Sequence, residues 1–182
     1  MKIKVSILFL VIAAVFVFFV FKGGYFSTQK PTAPVAAVAN EPLTNEKIIE
    51  TLSVMDLRDY EGKKIVLDKA ALVSHQKLVI HMWASWCGPC VGEVPELIKY
   101  SKKNPDVKFI IISMDDFTDE ISKFMKSFPA FNSKEFYRVW DFDKQLTKLF
   151  SVDRLPMSVL INSTQSEPKF MKSIVRWDSV TF

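Results

Sequence analysis

The chain has 182 residues, with 24 lysines and arginines against 20 aspartates and glutamates, for a formal net charge of +4. All of that excess lies in residues 1–39, which carry four lysines and no acid, so residues 40–182 are balanced at 20 of each sign. A neutral body excludes the electrostatic footprint of a nucleic-acid binder. Only two cysteines, separated by two residues, exclude a structural disulfide framework, since a bond between them closes almost no loop.

From Val5 to Phe21 only Ser6 is polar, and Lys2, Lys4 and Lys22 flank the run. As a helix it spans about 26 Å, just short of a ~30 Å hydrocarbon core. Snorkelling lysine stems, with Tyr25 and Phe26 at the interface, cover the difference. The rival reading is a cleaved signal peptide, which has an apolar stretch of ~7–15 residues with small residues close behind. Here Gly23-Gly24-Tyr25-Phe26 follows, and the small-residue triplet Ala37-Val38-Ala39 lies far downstream. The expectation is an uncleaved signal-anchor over residues 1–26. Lys2 and Lys4 bias the N-terminus inward and the remainder outward. Residues 27–42 hold three prolines and several alanines and read as an extended tether of ~50 Å. Residues 43–182 are then one domain with a sizeable core.

Within that domain a helical turn is expected around Ile48–Leu52, then strands near Ser53–Asp56 and Ile65–Leu67 about a Glu61-Gly62 turn. Lys77–Trp83 is a short apolar run that reads as a buried strand. A helix over Cys87–Lys103 follows, with Val91, Val94, Leu97 and Ile98 on one face and Pro95 placed to kink it. Lys108–Met114 is a second buried strand. Ile121, Phe124, Met125 and Phe128 recur at helical spacing behind the acidic start Thr118-Asp119-Glu120. Phe142, Leu146, Leu149 and Phe150 predict a third helix. Ser158–Asn162 and Lys169–Val175 predict two strands joined by a polar turn. The order argues an α/β fold with a mixed central sheet flanked by helices.

The most specific signal is Trp86-Cys87-Gly88-Pro89-Cys90, a Cys-x-x-Cys between a buried strand and a helix start. Helix N-terminal N–H groups stabilise an anion, so the Cys87 thiol should ionise near neutrality. Cys87 then attacks a disulfide, and Cys90, one turn on and more buried, resolves the mixed disulfide. Pro89 shapes the first turn, and Gly88 lets a partner chain approach closely.

Trp83-Ala84-Ser85-Trp86-Cys87-Gly88-Pro89-Cys90 resembles the thioredoxin active site, and its surroundings resemble the membrane-anchored TlpA/ResA-like branch of that family. Glu93-Val94-Pro95 resembles that branch's Cys-x-x-Glu-x-Pro continuation. Leu155-Pro156 before Ser-Val-Leu-Ile-Asn resembles its cis-proline strand, and Asp143–Val152 the helix leading there. The resemblance covers about residues 53–175 and implies a thioredoxin-like fold. It makes Pro156 a cis-proline beside which an extended substrate pairs, and Glu93 an active-site acid that moves protons. It also implies a bacterial cytoplasmic-membrane protein with its domain outside. There it would reduce disulfides of envelope proteins such as apo-cytochromes c, with electrons from a membrane thiol carrier. No cofactor is expected beyond the dithiol.

His81 departs from the pattern, standing where thioredoxin carries a buried acid and related envelope proteins often an asparagine. It is either a proton relay to Cys90 or a hydrogen-bonded core histidine. Few residues follow Trp177-Asp178-Ser179, so the usual C-terminal helix is short or missing. Three rival readings stand beside the reductase. One is a disulfide oxidant. A second is a metal site built from Cys87, Cys90, His75 and His81, though the helix-start motif holds the two thiols for each other. The third is a redox sensor using Phe128, Phe131, Phe136, Tyr137 and Trp140 as a partner surface, against the alternative that these rings are core or hinge packing.

Overall fold

The computed structural model describes residues 42–182, so the expected anchor over residues 1–26 and nearly all of the tether lie outside the described residues. No helix among the described residues is long and apolar enough to cross a membrane.

Helix α1, Asn45–Val54, begins at Thr44, whose hydroxyl accepts from the Lys47 N–H at 3.2 Å, and buries Ile48 and Leu52. It occupies part of the stretch expected as a strand at Ser53–Asp56, because a good cap and an i, i+4 apolar pair carry the helix one turn further. Thr44→Ala is expected to cost about 1 kcal/mol, read as a shift in the urea midpoint. Strands β1 (Leu57–Arg58) and β2 (Lys64–Ile65) form a short antiparallel hairpin. Its turn is fixed by Asp59, whose carboxylate accepts from the Glu61 and Lys63 N–H groups, and by Gly62 at φ +78°, a region open to glycine at little cost. The second strand stops before Leu67, because Asp68 caps a short helix α2, Lys69–Val73, that the sequence reading missed.

Strand β3 (Lys77–Trp83) leads through the cysteine loop into α3 (Gly88–Lys103), then β4 (Val107–Ser113) and α4 (Thr118–Ser127). A 3-10 turn at Pro129–Asn132 precedes β5, Phe136–Trp140. No strand is expected here from the sequence, where the aromatic run reads as partner surface or as packing. Phe131 and Phe136 are buried and stacked at 5.1 Å, and Phe128, Tyr137 and Trp140 are half-buried against the core. The aromatics are core.

Helix α5 covers only Gln145–Leu149, and Phe142, expected on its buried face, is instead 38% exposed beneath the Arg58 guanidinium. The helix starts late because Asp141 is its anchor: the carboxylate accepts from the Leu146 and Thr147 N–H groups. Strand β6 (Met157–Asn162) and β7 (Lys169–Met171) complete the sheet; β7 ends well short of the expected Val175.

Among the described residues seven strands form one mixed sheet in the order β2-β1-β5-β4-β3-β6-β7. β3, β4 and β5 run parallel through the helical crossovers α3 and α4, and β6 lies antiparallel to β3. The pleat sends alternate β3 residues to opposite faces. On one face Leu78 lines a cavity together with Ile49 of α1 and Leu72 of α2. On the other, Trp83 packs 4.2 Å from Phe124 of α4, and Phe109 of β4 packs against Tyr100 of α3. Trp177, in a 3-10 turn at Trp177–Ser179, is fully buried there against His81, Tyr100 and Phe109. Among the described residues only this 3-10 turn follows β7, where a C-terminal helix was expected to be short or missing.

Candidate functional site

The site lies where β3 ends and α3 begins. Cys87 is the N-cap of α3, its sulfur 3.3 Å from the Cys90 N–H, and Pro89 sits in the first turn, where its missing N–H costs nothing. Cys87 and Cys90 are joined as a disulfide. Cys87 is 6% exposed and Cys90 fully buried, while Trp86 beside them is 66% exposed. A side chain added at Gly88 would meet nothing within 4 Å, so this edge of the motif is open to an approaching chain.

The loop before Cys87 is tied down by a residue the sequence reading missed. Asp115, fully buried just past β4, accepts from the Ser85 N–H, the Ser85 hydroxyl at 2.6 Å and the Ser113 hydroxyl at 2.7 Å. Within the loop the Cys87 N–H donates to the Ala84 carbonyl. Trp83 is held in turn: its indole N–H donates to the Tyr60 hydroxyl, which donates to the Ile111 carbonyl.

Glu93 lies one turn after Cys90 on the same buried face of α3 and is only 4% exposed. Oε2 accepts from the Val175 N–H at 3.0 Å, and Oε1 lies 3.2 Å from His81 Nε2. Burial is the main cause that raises the Glu93 carboxyl to about 7; the Val175 N–H pulls it down and the neighbouring Glu96 charge pushes it up. The His81 ring is 1% exposed, with Nδ1 2.9 Å from the Ser158 hydroxyl, and burial lowers its pKa to about 3. The structure thus brings Cys90, Glu93 and His81 to one face, and adds Ser158, which sat unmarked in an apolar strand.

The Leu155–Pro156 bond is cis and Pro156 is buried at the start of β6. Leu155 shares with Trp86, Cys87, Gly88 and Pro89 a groove of about 700 Å³. The charges on its rim are paired, Lys144 with Asp116 at 3.0 Å and Arg154 with Asp153 at 3.6 Å. His75 precedes β3, whereas the cysteines follow its far end, roughly 20 Å on at 3.3 Å per residue. The four residues of the rival metal reading are therefore not brought together, and no group of three or more His, Cys, Asp or Glu among the described residues is placed to hold an ion. The arrangement can exchange a disulfide at Cys87 and hold a proton at Glu93.

Comparison with known proteins agrees on the fold. The secreted disulfide oxidoreductase of Mycobacterium tuberculosis described as homologous to DsbE superposes with a TM-score of 0.58 at 21% identity, over 71% of this chain and 92% of that one. StoA from Bacillus subtilis gives 0.52 at 22%, over 68% and 90%. In sequence, the sporulation thiol-disulfide oxidoreductase A of Bacillus subtilis is 26% identical over 60% of this chain and 65% of its own length. The thiol-disulfide oxidoreductase ResA of Bacillus cereus is 30% identical over 57% of each. The chain thus spans less than two thirds of either curated relative. A thioredoxin-like family matches residues 75–167, the segment that runs from the entry of β3 to the turn after β6 and carries both cysteines, Glu93 and the cis-proline. The chain belongs to the thioredoxin-like family.

Proposed function

We propose that this chain is a thiol–disulfide oxidoreductase that reduces disulfides of proteins outside the cytoplasm. The observation that carries the reading is the Cys87–Cys90 disulfide at the N-terminus of α3, opening on a groove that Leu155 also lines. In the reduced enzyme the Cys87 thiolate attacks one substrate sulfur. The substrate S–S bond breaks, a mixed disulfide forms, and the departing substrate thiolate takes a proton. Cys90 gives its proton to the Glu93 carboxylate and attacks Cys87 Sγ, releasing the second substrate thiolate. The Cys87–Cys90 disulfide then holds the two electrons' worth of oxidation. An external dithiol donor must return the pair to the reduced state, and a membrane thiol carrier fits a chain anchored through residues 5–21.

Four further points support this reading. The Gly88-Pro89 dipeptide resembles reducing thioredoxins. The curated relatives are named thiol–disulfide oxidoreductases. The paired rim charges give the groove no strong sign, which suits varied cysteine-containing clients, apo-cytochromes c among them. The apolar run and its flanking lysines favour a single-pass protein of a bacterial cytoplasmic membrane, N-terminus inside.

Cys90→Ala is expected to trap client proteins as mixed disulfides on Cys87, resolvable by a reducing gel, and Cys87→Ala to trap none. Failure of the first variant to trap any client would overturn the enzyme reading. A reduction potential near that of DsbA, roughly −120 mV, would reverse the direction.

A further inference from the structure

A carboxyl group that takes a proton in one half of a cycle and sheds it in the other needs different partners in the two halves. A carboxylate only accepts hydrogen bonds; a carboxylic acid must also donate one. Buried at Glu93, either form left unpartnered is penalised. The two oxygens are held unequally. Oε2 faces the Val175 N–H, a donor in every state. Oε1 has no aligned hydrogen-bond partner among the described residues; the polar atom it faces is His81 Nε2, at an ion-pair distance of 3.2 Å.

An imidazole nitrogen can stand in either role. With the ring proton on Nε2 it donates to the Glu93 carboxylate, and Nδ1 accepts from the Ser158 hydroxyl. With the proton on Nδ1 it donates to the Ser158 oxygen, and Nε2 accepts from the protonated Glu93. Ser158 Oγ, 2.9 Å away, is suited to both because a hydroxyl donates and accepts. The register makes the set rigid, since His81 and Ser158 are direct cross-strand partners of β3 and β6 and both are buried. The groups packed on the ring are Glu93 from α3, Ser158 from β6, Ile111 beside it on β4 and the Trp177 ring edge-on at 5.9 Å. Glu93 is titratable in that set in either redox state; the Cys90 thiol on the same buried face of α3 titrates once the disulfide is reduced, and Glu96 adds a charge further along α3.

We propose that His81 is a positioning residue. Together with Ser158 it hydrogen-bonds the Glu93 side chain both as a carboxylate and as a carboxylic acid, so that Glu93 can hold the Cys90 proton and release it. The inference rests on the proton role given to Glu93 above, and it adds what supports that role. The neutral ring is consistent with it, since burial keeps His81 uncharged near neutrality.

Two substitutions separate this from simple packing, because they push Glu93 in opposite directions. His81→Leu removes the donor and leaves Oε1 among apolar atoms, which favours the acid. Ser158→Ala leaves Nδ1 without a partner. A buried orphan N–H costs more than an orphan lone pair, so the ring keeps its proton on Nε2, where it favours the carboxylate. The full-length chain in detergent micelles, labelled at glutamate Cδ with carbon-13, reports the Glu93 titration directly, the signal being assigned by its loss in Glu93→Gln. The midpoint is expected to rise by about one pH unit in His81→Leu and fall by about one in Ser158→Ala, the worth of one hydrogen bond. His81→Gln, whose amide also donates or accepts, is expected to stay near the native value. Shifts of the same sign in the first two variants, or none in Ser158→Ala, would overturn the proposal. The readout involves no client, so it stands or falls independently of the trapping experiment.

Discussion

Between about pH 4.5 and 6.5, His81 and Glu93 together are expected to leave stability independent of pH, and each single substitution is expected to tilt that plateau in an opposite direction. The cause is proton counting. In the unfolded chain His81 binds its proton below its ordinary 6.5 and Glu93 is ionised above its ordinary 4.5, so the pair carries one proton across that window. In the folded chain His81 is neutral above about 3 and Glu93 is protonated below about 7, again one proton. Equal counts give zero slope. Above 6.5 the folded state holds the extra proton, so stability falls as pH rises through 7; below 4.5 the unfolded state holds it, so stability falls as pH drops.

Removing one partner exposes the other. In Glu93→Gln the depressed His81 acts alone, contributing stability that is full above 6.5 and lost as pH falls toward 3, on the order of 5 kcal/mol in all. In His81→Leu the raised Glu93 acts alone, its midpoint moved about one unit above the native value, with its contribution full below 4.5 and lost as pH rises through about 8, on the order of 5 kcal/mol. Urea midpoints across pH 3–8, each taken as the difference from the double variant His81→Leu/Glu93→Gln, cancel every other titrating group. Slopes of one sign in both single variants would show that the two residues do not titrate as the buried geometry requires.

How much of this was legible in the sequence differs by element. The β3–loop–α3 unit was readable because a continuous apolar run, a Cys-x-x-Cys and a helix-spaced apolar face mark three local features in a row, and α3 continues unbroken through Pro95. β5 was not. Its residues Phe136–Trp140 alternate poorly, and pairing to β4 in parallel register and to β1 at Trp140 makes them a strand. α2 carried a signal that was available, an aspartate before Lys-Ala-Ala-Leu-Val, whereas Phe142 misled by falling on the spacing of a helix that begins three residues later. For the site, the cysteines and Glu93 are recorded in a motif, but Ser158 and Asp115 are not. A serine in an apolar strand and an aspartate after one acquire their partners only through cross-strand register and chain reversal, neither of which has a local signature.

Asp115 is where that missing information has its largest mechanical consequence. Asp115→Ala is expected to destabilise the fold by on the order of 2–3 kcal/mol, because it leaves the buried Ser113 hydroxyl and the half-buried Ser85 N–H and hydroxyl without their acceptor. The loss falls on the segment Ala84–Trp86, which joins β3 to Cys87 and has no strand or helix of its own to hold it. Asp115→Asn keeps the shape and one acceptor oxygen but turns an amide N–H₂ toward these donors, so an intermediate cost of about 1–2 kcal/mol is expected. Both variants should also slow Cys87 in the reduced enzyme, since its position at the helix N-terminus, which favours the thiolate, depends on how the loop enters α3. Urea unfolding measures the first effect, and the iodoacetamide rate of Cys87 across pH 5–9 the second. A variant that lost stability while Cys87 kept its native pH profile would show that α3 alone, through its own first turn, sets the thiol, and that Asp115 only holds the fold.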